Sequence, residues 1–224
     1  MLKLVIANKV YSSWSLRPWM VMRAFAIPFE EIVIPLREAD SNARLAAYSP
    51  SGKVPVLLDG DVKIWESLAI IEYLSERYPG KAIWPAASGA RALARSISNE
   101  MHGGFMPLRQ GCPMNIGATF KTPVITPEMR SNIGRIENIW AEMRAAFSGE
   151  GPYLFGAFSA ADAMYAPVAT RLQSYQIPVA ESTRNYIETV LSHPTYLEWR
   201  KSALEEPWSI AGYGAGHTAV ETYR

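Results

Sequence analysis

The hydrophobic pattern changes period partway along the chain. Leu2 to Ala7 is a short apolar run fit for a buried strand. Turn-rich residues 8 to 15 follow. Leu16, Trp19, Met20, Met22 and Phe25 then recur at helical spacing, with Pro18 expected in the helix's first turn. Phe29, Ile32 and Ile34 predict a second strand, with acids between them. Val54 to Leu58 and Val62 to Trp65 predict two more, joined at Asp59-Gly60, a strong hairpin signal. Leu68, Ile70, Ile71, Tyr73 and Leu74 predict a helix from Glu66 to Tyr78, ended by Pro79-Gly80. The order is β-α-β, a loop with room for a short helix, then β-β-α. That is a mixed four-stranded sheet with helices on it.

From Ala90 onward strand signals nearly vanish. Helices are predicted over Ala90 to Phe105, Pro127 to Phe147, Ser159 to Tyr175, Glu181 to Leu191 and Pro194 to Leu204. Residues 79 to 89 hold Pro79, Gly80, Pro85, Ser88 and Gly89 and read as a linker. The expected division is 1–78, a linker at 79–89, and a helical 90–224. Ser159-Ala160-Ala161-Asp162 has the form of a capping box, with Phe158 before it as a staple.

Composition narrows the function classes. Lys and Arg number 22 and Asp and Glu 21, so the formal net charge is +1 and nothing points to a nucleic-acid partner. The single Cys112 excludes an internal disulfide and a thiolate-only zinc site, and His102, His193 and His217 lack metal-ligand spacing. No run approaches the roughly 18 to 20 apolar residues of a membrane span. A cytoplasmic protein without metal or membrane partner is expected.

Three short stretches carry candidate chemistry. Tyr11-Ser12-Ser13-Trp14-Ser15 lies between the first strand and first helix, where hydroxyls either cap the helix or face an anion. Ser15, nearest the expected helix start, fits the capping role best. Lys53-Val54-Pro55 opens the third strand. Glu66-Ser67 opens the following helix, where Ser67 offers a hydroxyl and an N–H to a carboxylate and Glu66 an acceptor to an ammonium; capping is the plainer reading.

Together these stretches, with Glu66-Ser67-Leu68-Ala69-Ile70-Ile71-Glu72-Tyr73-Leu74 and Ser159-Ala160-Ala161-Asp162, resemble the glutathione S-transferase family over the whole chain. Ser12-Ser13-Trp14-Ser15-Leu16-Arg17 is similar to its serine-type, zeta-like members, whose motif runs Ser-Ser-Cys-Ser followed by an aromatic and Arg. Trp14 stands where that Cys would be, and Leu16 where the aromatic would be.

The resemblance implies an α/β thioredoxin-like N-terminal domain, an all-α C-terminal bundle and a homodimer. It implies glutathione as co-substrate and a small electrophile as second substrate, with no metal. It places Ser12 at the glutathione sulfur, with Ser13 or Tyr11 as rivals. Val54, before a proline that is cis in the family, meets the cysteinyl backbone. Glu66 and Ser67 hold the γ-glutamyl end, and Lys53 reaches the peptide. Arg37 and Arg44 are candidates for the glycyl carboxylate. Trp14, Met101, His102, Phe105, Met106 and Arg109 are candidates for the electrophile pocket, with core packing the plainer role for Met101, Phe105 and Met106. Arg109 would receive a carboxylate or another anion. The implied activity is conjugation. A glutathione-dependent isomerase of the maleylacetoacetate type and a non-catalytic binding protein on this fold are the alternatives. Cys112, outside the loop, is expected to be a buried bystander.

Overall fold

A computed structural model describes residues 1–147, 149 and 151–224. The first strand, β1 (Leu2–Ile6), leads into α1 (Ser13–Ala24) and then β2 (Phe29–Val33). The short helix α2 (Ser41–Tyr48) precedes the hairpin β3 (Val56–Asp59) and β4 (Val62–Trp65), and α3 (Ser67–Arg77) follows. The sheet order is β2-β1-β3-β4. β1 pairs with β2 in parallel and with β3 antiparallel. The β3–β4 register pairs Asp59 with Val62, so Gly60 and Asp61 make the turn. Gly60 has φ +58°, which the first central position of such a turn demands.

Alternation along β1 divides its side chains between two cores. Leu4 and Ile6 join the main core, and Val5 joins Ile34, Leu45 and Val56 beneath α2. The main core does not stop at the sheet. It runs without a break from Leu4 through Leu16, Trp19 and Met20 to Trp140, Tyr165 and Trp199. Helix α1 is therefore buried on nearly every side, packed between sheet and helices.

The helical part comprises α4 (Ser88–Gly103), α5 (Met106–Gly111), α6 (Pro127–Phe147), α7 (Ala160–Ser174), α8 (Glu181–Leu191) and α9 (Pro194–Glu205). Helix α4 begins inside the stretch read as linker. Phe105 takes a left-handed conformation, φ +60°, and separates α4 from α5, a break that Gly103-Gly104 permits. The pattern did not foresee a two-stranded antiparallel ribbon, β5 (Ala118–Phe120) with β6 (Ala219–Thr222). Its strands are about a hundred residues apart and β6 is exposed throughout, so no apolar alternation announces it.

At the start of α7, the Ser159 N–H donates to Asp162 Oδ2 at 2.9 Å, the return half of the expected box. The Ser159 hydroxyl also donates to Asp162, at 3.1 Å. Asp162 further accepts from Leu154 N–H at 3.0 Å and Tyr186 Oη at 2.8 Å. Burial pushes its carboxyl above the ordinary range, and these four bonds pull the other way.

Candidate functional site

The serine loop is fixed by residues nearly two hundred positions away. Lys9 N–H donates to both oxygens of Glu206, at 2.8 and 2.9 Å, and Trp199 Nε1 donates to Lys9 O at 3.0 Å. The Lys9 ammonium pairs with Glu31 at 2.6 Å. Asn8 Oδ1 accepts from Leu36 N–H at 2.8 Å, joining the loop to the segment after β2.

Within the loop, Ser12 is the N-cap of α1: its hydroxyl oxygen accepts from Ser15 N–H at 3.3 Å. This corrects the expectation that Ser15 caps. The helix starts at Ser13, three residues earlier than its apolar stripe, so Ser15 falls inside the first turn and accepts from Ala7 N–H at 3.2 Å. The earlier start also moves Pro18 from the first turn into the second. Its missing N–H leaves the Trp14 carbonyl without a helical donor.

Ser12, Ser13, Trp14, Lys53, Val54 and Arg109 line one cavity of about 440 Å³ between the sheet and the helices. A smaller neighbour of about 190 Å³ shares Trp14, Lys53 and Val54, and adds Pro55, Glu66 and His102. The Val54–Pro55 bond is cis. Among the described residues, the Val54 N–H and C=O take no part in the turn and loop hydrogen bonds. Glu66 has φ +69°, a conformation that costs a non-glycine residue about 1 to 3 kcal/mol and tends to occur at functional positions. Its carbonyl accepts from Ile70 N–H at 3.0 Å, and its carboxylate lies 3.4 Å from His102 Nε2. Ser67 is fully buried at the first position of α3, and its hydroxyl has no partner. The first-turn N–H groups of a helix have no intrahelical partner either, and they favour an anion.

Met101 and Phe105 do not line either cavity. Both lie in the main core, Met101 with none of its surface exposed. The methionine at the cavity wall is Met106, at the start of α5, because the break at Phe105 turns the chain. Arg37 donates to Ala211 O at 3.4 Å, and Arg44 to Val33 O at 3.3 Å; neither lines the two cavities. Tyr11 does line the larger one, with its ring 4.6 Å from that of Tyr213. Cys112 is buried, and burial pushes its thiol up to about 12. Among the described residues no His, Cys, Asp or Glu cluster could hold a metal ion, and no helix is long and apolar enough to cross a membrane.

The cavity also contains residues from the C-terminal tail and one, Arg171, that the sequence pattern passed over. Ile210 and Tyr213, from the segment after α9, close one side. Arg171 reaches it from α7, a mostly apolar helix in which it is the one basic residue. A lone arginine in an apolar helix is the signal that marks it, since a charge is buried only for a reason.

The family model described as glutathione S-transferase, N-terminal domain, matches residues 11–77, and that for the C-terminal domain matches residues 126–202. Glutathione S-transferase F14 of Arabidopsis thaliana is 31% identical over 183 residues, 76% of this chain and 67% of that protein. The chain belongs to the glutathione S-transferase family. A probable maleylacetoacetate isomerase of Caenorhabditis elegans is 38% identical over 104 residues. That match spans 44% of this chain and about half, 48%, of the worm protein. Among solved structures, a Burkholderia glutathione transferase homologue with bound glutathione superposes with a TM-score of 0.68 at 23% identity, over 90% of this chain and 97% of that one. Membership explains the shared layout of sheet and helical bundle. It leaves to this chain's own residues the question of what the cavity accepts.

Proposed function

We propose that this protein is a glutathione transferase, binding glutathione against the sheet and using its thiolate on a small electrophile. One observation carries the reading. The serine loop at the start of α1 and Val54 line the larger cavity, Val54, cis-Pro55 and Glu66 line its smaller neighbour, and Ser67, buried and lining neither, follows Glu66 at the start of α3. Residues 1–78 supply the glutathione side, and residues 90–224 supply the opposite wall.

Glutathione is a zwitterion at one end and a thiol in the middle. The unpartnered Ser67 hydroxyl and the N-terminus of α3 suit the γ-glutamyl carboxylate, and the Glu66 carboxylate suits its ammonium. The Val54 peptide suits the cysteinyl backbone, and Lys53 the peptide beyond it. Ser12 and Ser13, on the same cavity as Val54, suit the sulfur. A free thiol titrates near 8.5, so little is thiolate at neutral pH. A hydroxyl donating to sulfur at the positive end of α1 favours the anion. The thiolate then attacks the electrophilic carbon and the leaving group departs with its bonding pair. Ser12 acts as a hydrogen-bond donor throughout and forms no covalent bond.

The isomerase reading is supported by the match to the worm protein over 104 residues, 44% of this chain. There the thiolate would add to a double bond, the carbon framework would rotate about the resulting single bond, and expulsion of the thiolate would restore the double bond. A homodimer fits the exposed Val62 and Trp65 on β4 and Leu93 on α4. The test is retention on immobilised glutathione followed by conjugation of 1-chloro-2,4-dinitrobenzene. Retention with turnover supports the transferase, retention without turnover of any electrophile supports a binding protein, and failure of both removes the reading.

A further inference from the structure

Two arginines lie against Trp14, and a third lines the same cavity. Arg17 of α1 places its guanidinium carbon 4.2 Å from the Trp14 ring centroid, and Arg109 of α5 places its own at 4.7 Å. Arg171 of α7 lines the same cavity as Arg109 and Trp14. Arg17 and Arg171 are almost wholly buried. Arg17 donates Nε to Met164 O at 3.1 Å, and its Nη1 is buried with no partner. Arg171 donates to the carbonyls of Cys112 at 2.9 Å and Pro167 at 3.1 Å. Arg109 donates to those of His102 at 3.4 Å and Gly104 at 3.1 Å.

None of the ion pairs among the described residues includes any of the three. Glu66, on the neighbouring cavity, is paired with His102 instead. The carbonyls fix the guanidinium planes but leave the charges unbalanced. Arginine keeps its proton even when buried, so mutual repulsion is a standing cost of this fold. Burial, then Arg171 and Arg109, hold Arg17 well below its ordinary range; burial brings Arg171 down to about 10. An anion in the cavity would relieve that cost, and a protein that keeps the cost without the anion gains nothing from it.

The cavity's shape says which part of the chemistry the anion belongs to. Its sheet side carries Ser12, Ser13, Lys53 and Val54, the positions read above as the glutathione side. Arg109 and Arg171 stand on the helical side, with the Trp14 indole, Met106, Ile210 and the Tyr11–Tyr213 ring pair as the apolar remainder. We propose that the second substrate is a small planar electrophile bearing a carboxylate, its charged end held by Arg109 and Arg171 and its flat framework by Trp14 and Tyr213. The proposal rests on the glutathione reading only for the word "second"; the anion site itself rests on the arginines.

The probe pair is 4-chloro-3-nitrobenzoate and its methyl ester, which share a reacting carbon and differ in charge. Each is titrated calorimetrically onto the protein, with and without S-methylglutathione, and each is assayed for conjugation. The wild type is expected to favour the acid by about tenfold or more in affinity and in kcat/KM, after correction for the uncatalysed rates. Arg109→Met is expected to reduce that preference to about threefold or less while the glutathione KM stays within about twofold. Arg171→Lys, which keeps a cation near the Cys112 and Pro167 carbonyls, should lower the preference by a smaller factor. Equal affinity of the wild type for acid and ester overturns the proposal. So does an Arg109→Met variant that loses glutathione affinity and keeps its acid preference, since the arginine then serves glutathione's own carboxylates. Preference for the acid in a protein that neither binds S-methylglutathione nor conjugates removes the transferase reading and sustains the anion site.

Discussion

The Ser12 hydroxyl donates to Ser15 Oγ at 2.7 Å, and the Ser15 N–H donates back to Ser12 Oγ at 3.3 Å. The proposed sulfur donor is thus also the helix cap, and in the ligand-free protein its proton points into α1. Capping uses only an acceptor lone pair of Ser12. Its O–H can therefore turn to a thiolate while the cap persists, and Ser15, held by Ala7 N–H, can then donate to Ser12 in its place.

Ser12→Ala is expected to lower kcat with 1-chloro-2,4-dinitrobenzene much more than it raises the glutathione KM, because the contact strengthens as sulfur becomes charged. Loss of the cap should also cost about 1 kcal/mol of stability in a denaturant melt. Ser13→Ala should affect kcat less. A larger loss from Ser13→Ala would transfer the donor role to Ser13.

Glu66→Ala and Ser67→Ala should each raise the glutathione KM about tenfold or more, the effect of leaving one ligand charge unpaired at roughly 1 to 3 kcal/mol. Turnover at saturating glutathione should fall less than in Ser12→Ala. Steady-state kinetics over a wide glutathione range make the comparison. Unchanged KM in both variants, with circular dichroism intact, would reduce the pair to the start of a helix.

Asp162→Ala removes the acceptor for two buried backbone N–H groups and for the Ser159 and Tyr186 hydroxyls. The expected loss is about 3 kcal/mol or more, since each orphaned buried donor costs roughly 1 to 3 kcal/mol. Activity per folded molecule should be preserved. A midpoint shift of less than about 1 kcal/mol in urea would contradict this account of α7.

His102 titrates below the ordinary imidazole range, from burial first, then from Arg17, with Glu66 opposing and Arg109 adding to the depression. Burial alone lowers His193, whose Nδ1 accepts from Thr195 N–H at 3.2 Å as the cap of α9. For both, the unfolded chain binds the proton more readily. Stability should therefore be full above the unfolded value of about 6.5 and fall as pH drops through the lower folded values. Thermal melts between about pH 7 and pH 5 should show the decline, and the double variant His102→Gln, His193→Asn should flatten it.

Cys112 should resist thiol reagents in the native protein and react fully after denaturation, because burial holds it protonated and sheltered. Cys112→Ala should retain conjugating activity. Fast native labelling would contradict its burial.

Local pattern alone determined a good deal of this protein. Period-two and period-3.6 runs placed the sheet strands and every long helix, because burial of one face writes its period into the chain. The Asp59-Gly60 hairpin and the Asp162 return bond were legible for the same reason: each is decided within four residues. The serine loop, Val54-Pro55 and Glu66-Ser67 were legible as candidates through their resemblance to a family. Only the tertiary structure decided the rest. It moved the start of α1 to Ser13, because Ser12 finds its acceptor role within the first turn, and it thereby placed Pro18 one turn deeper. It sent Met101 and Phe105 into the core and brought Met106 to the cavity, through the left-handed turn at Phe105. It paired β5 with β6 across about a hundred residues, and it set Arg17 and Arg109 from two helices against one indole with Arg171 of a third lining the same cavity. Periodicity reports which face of an element is buried. It carries no information on which distant element does the burying, and the charge of a pocket is set by that meeting.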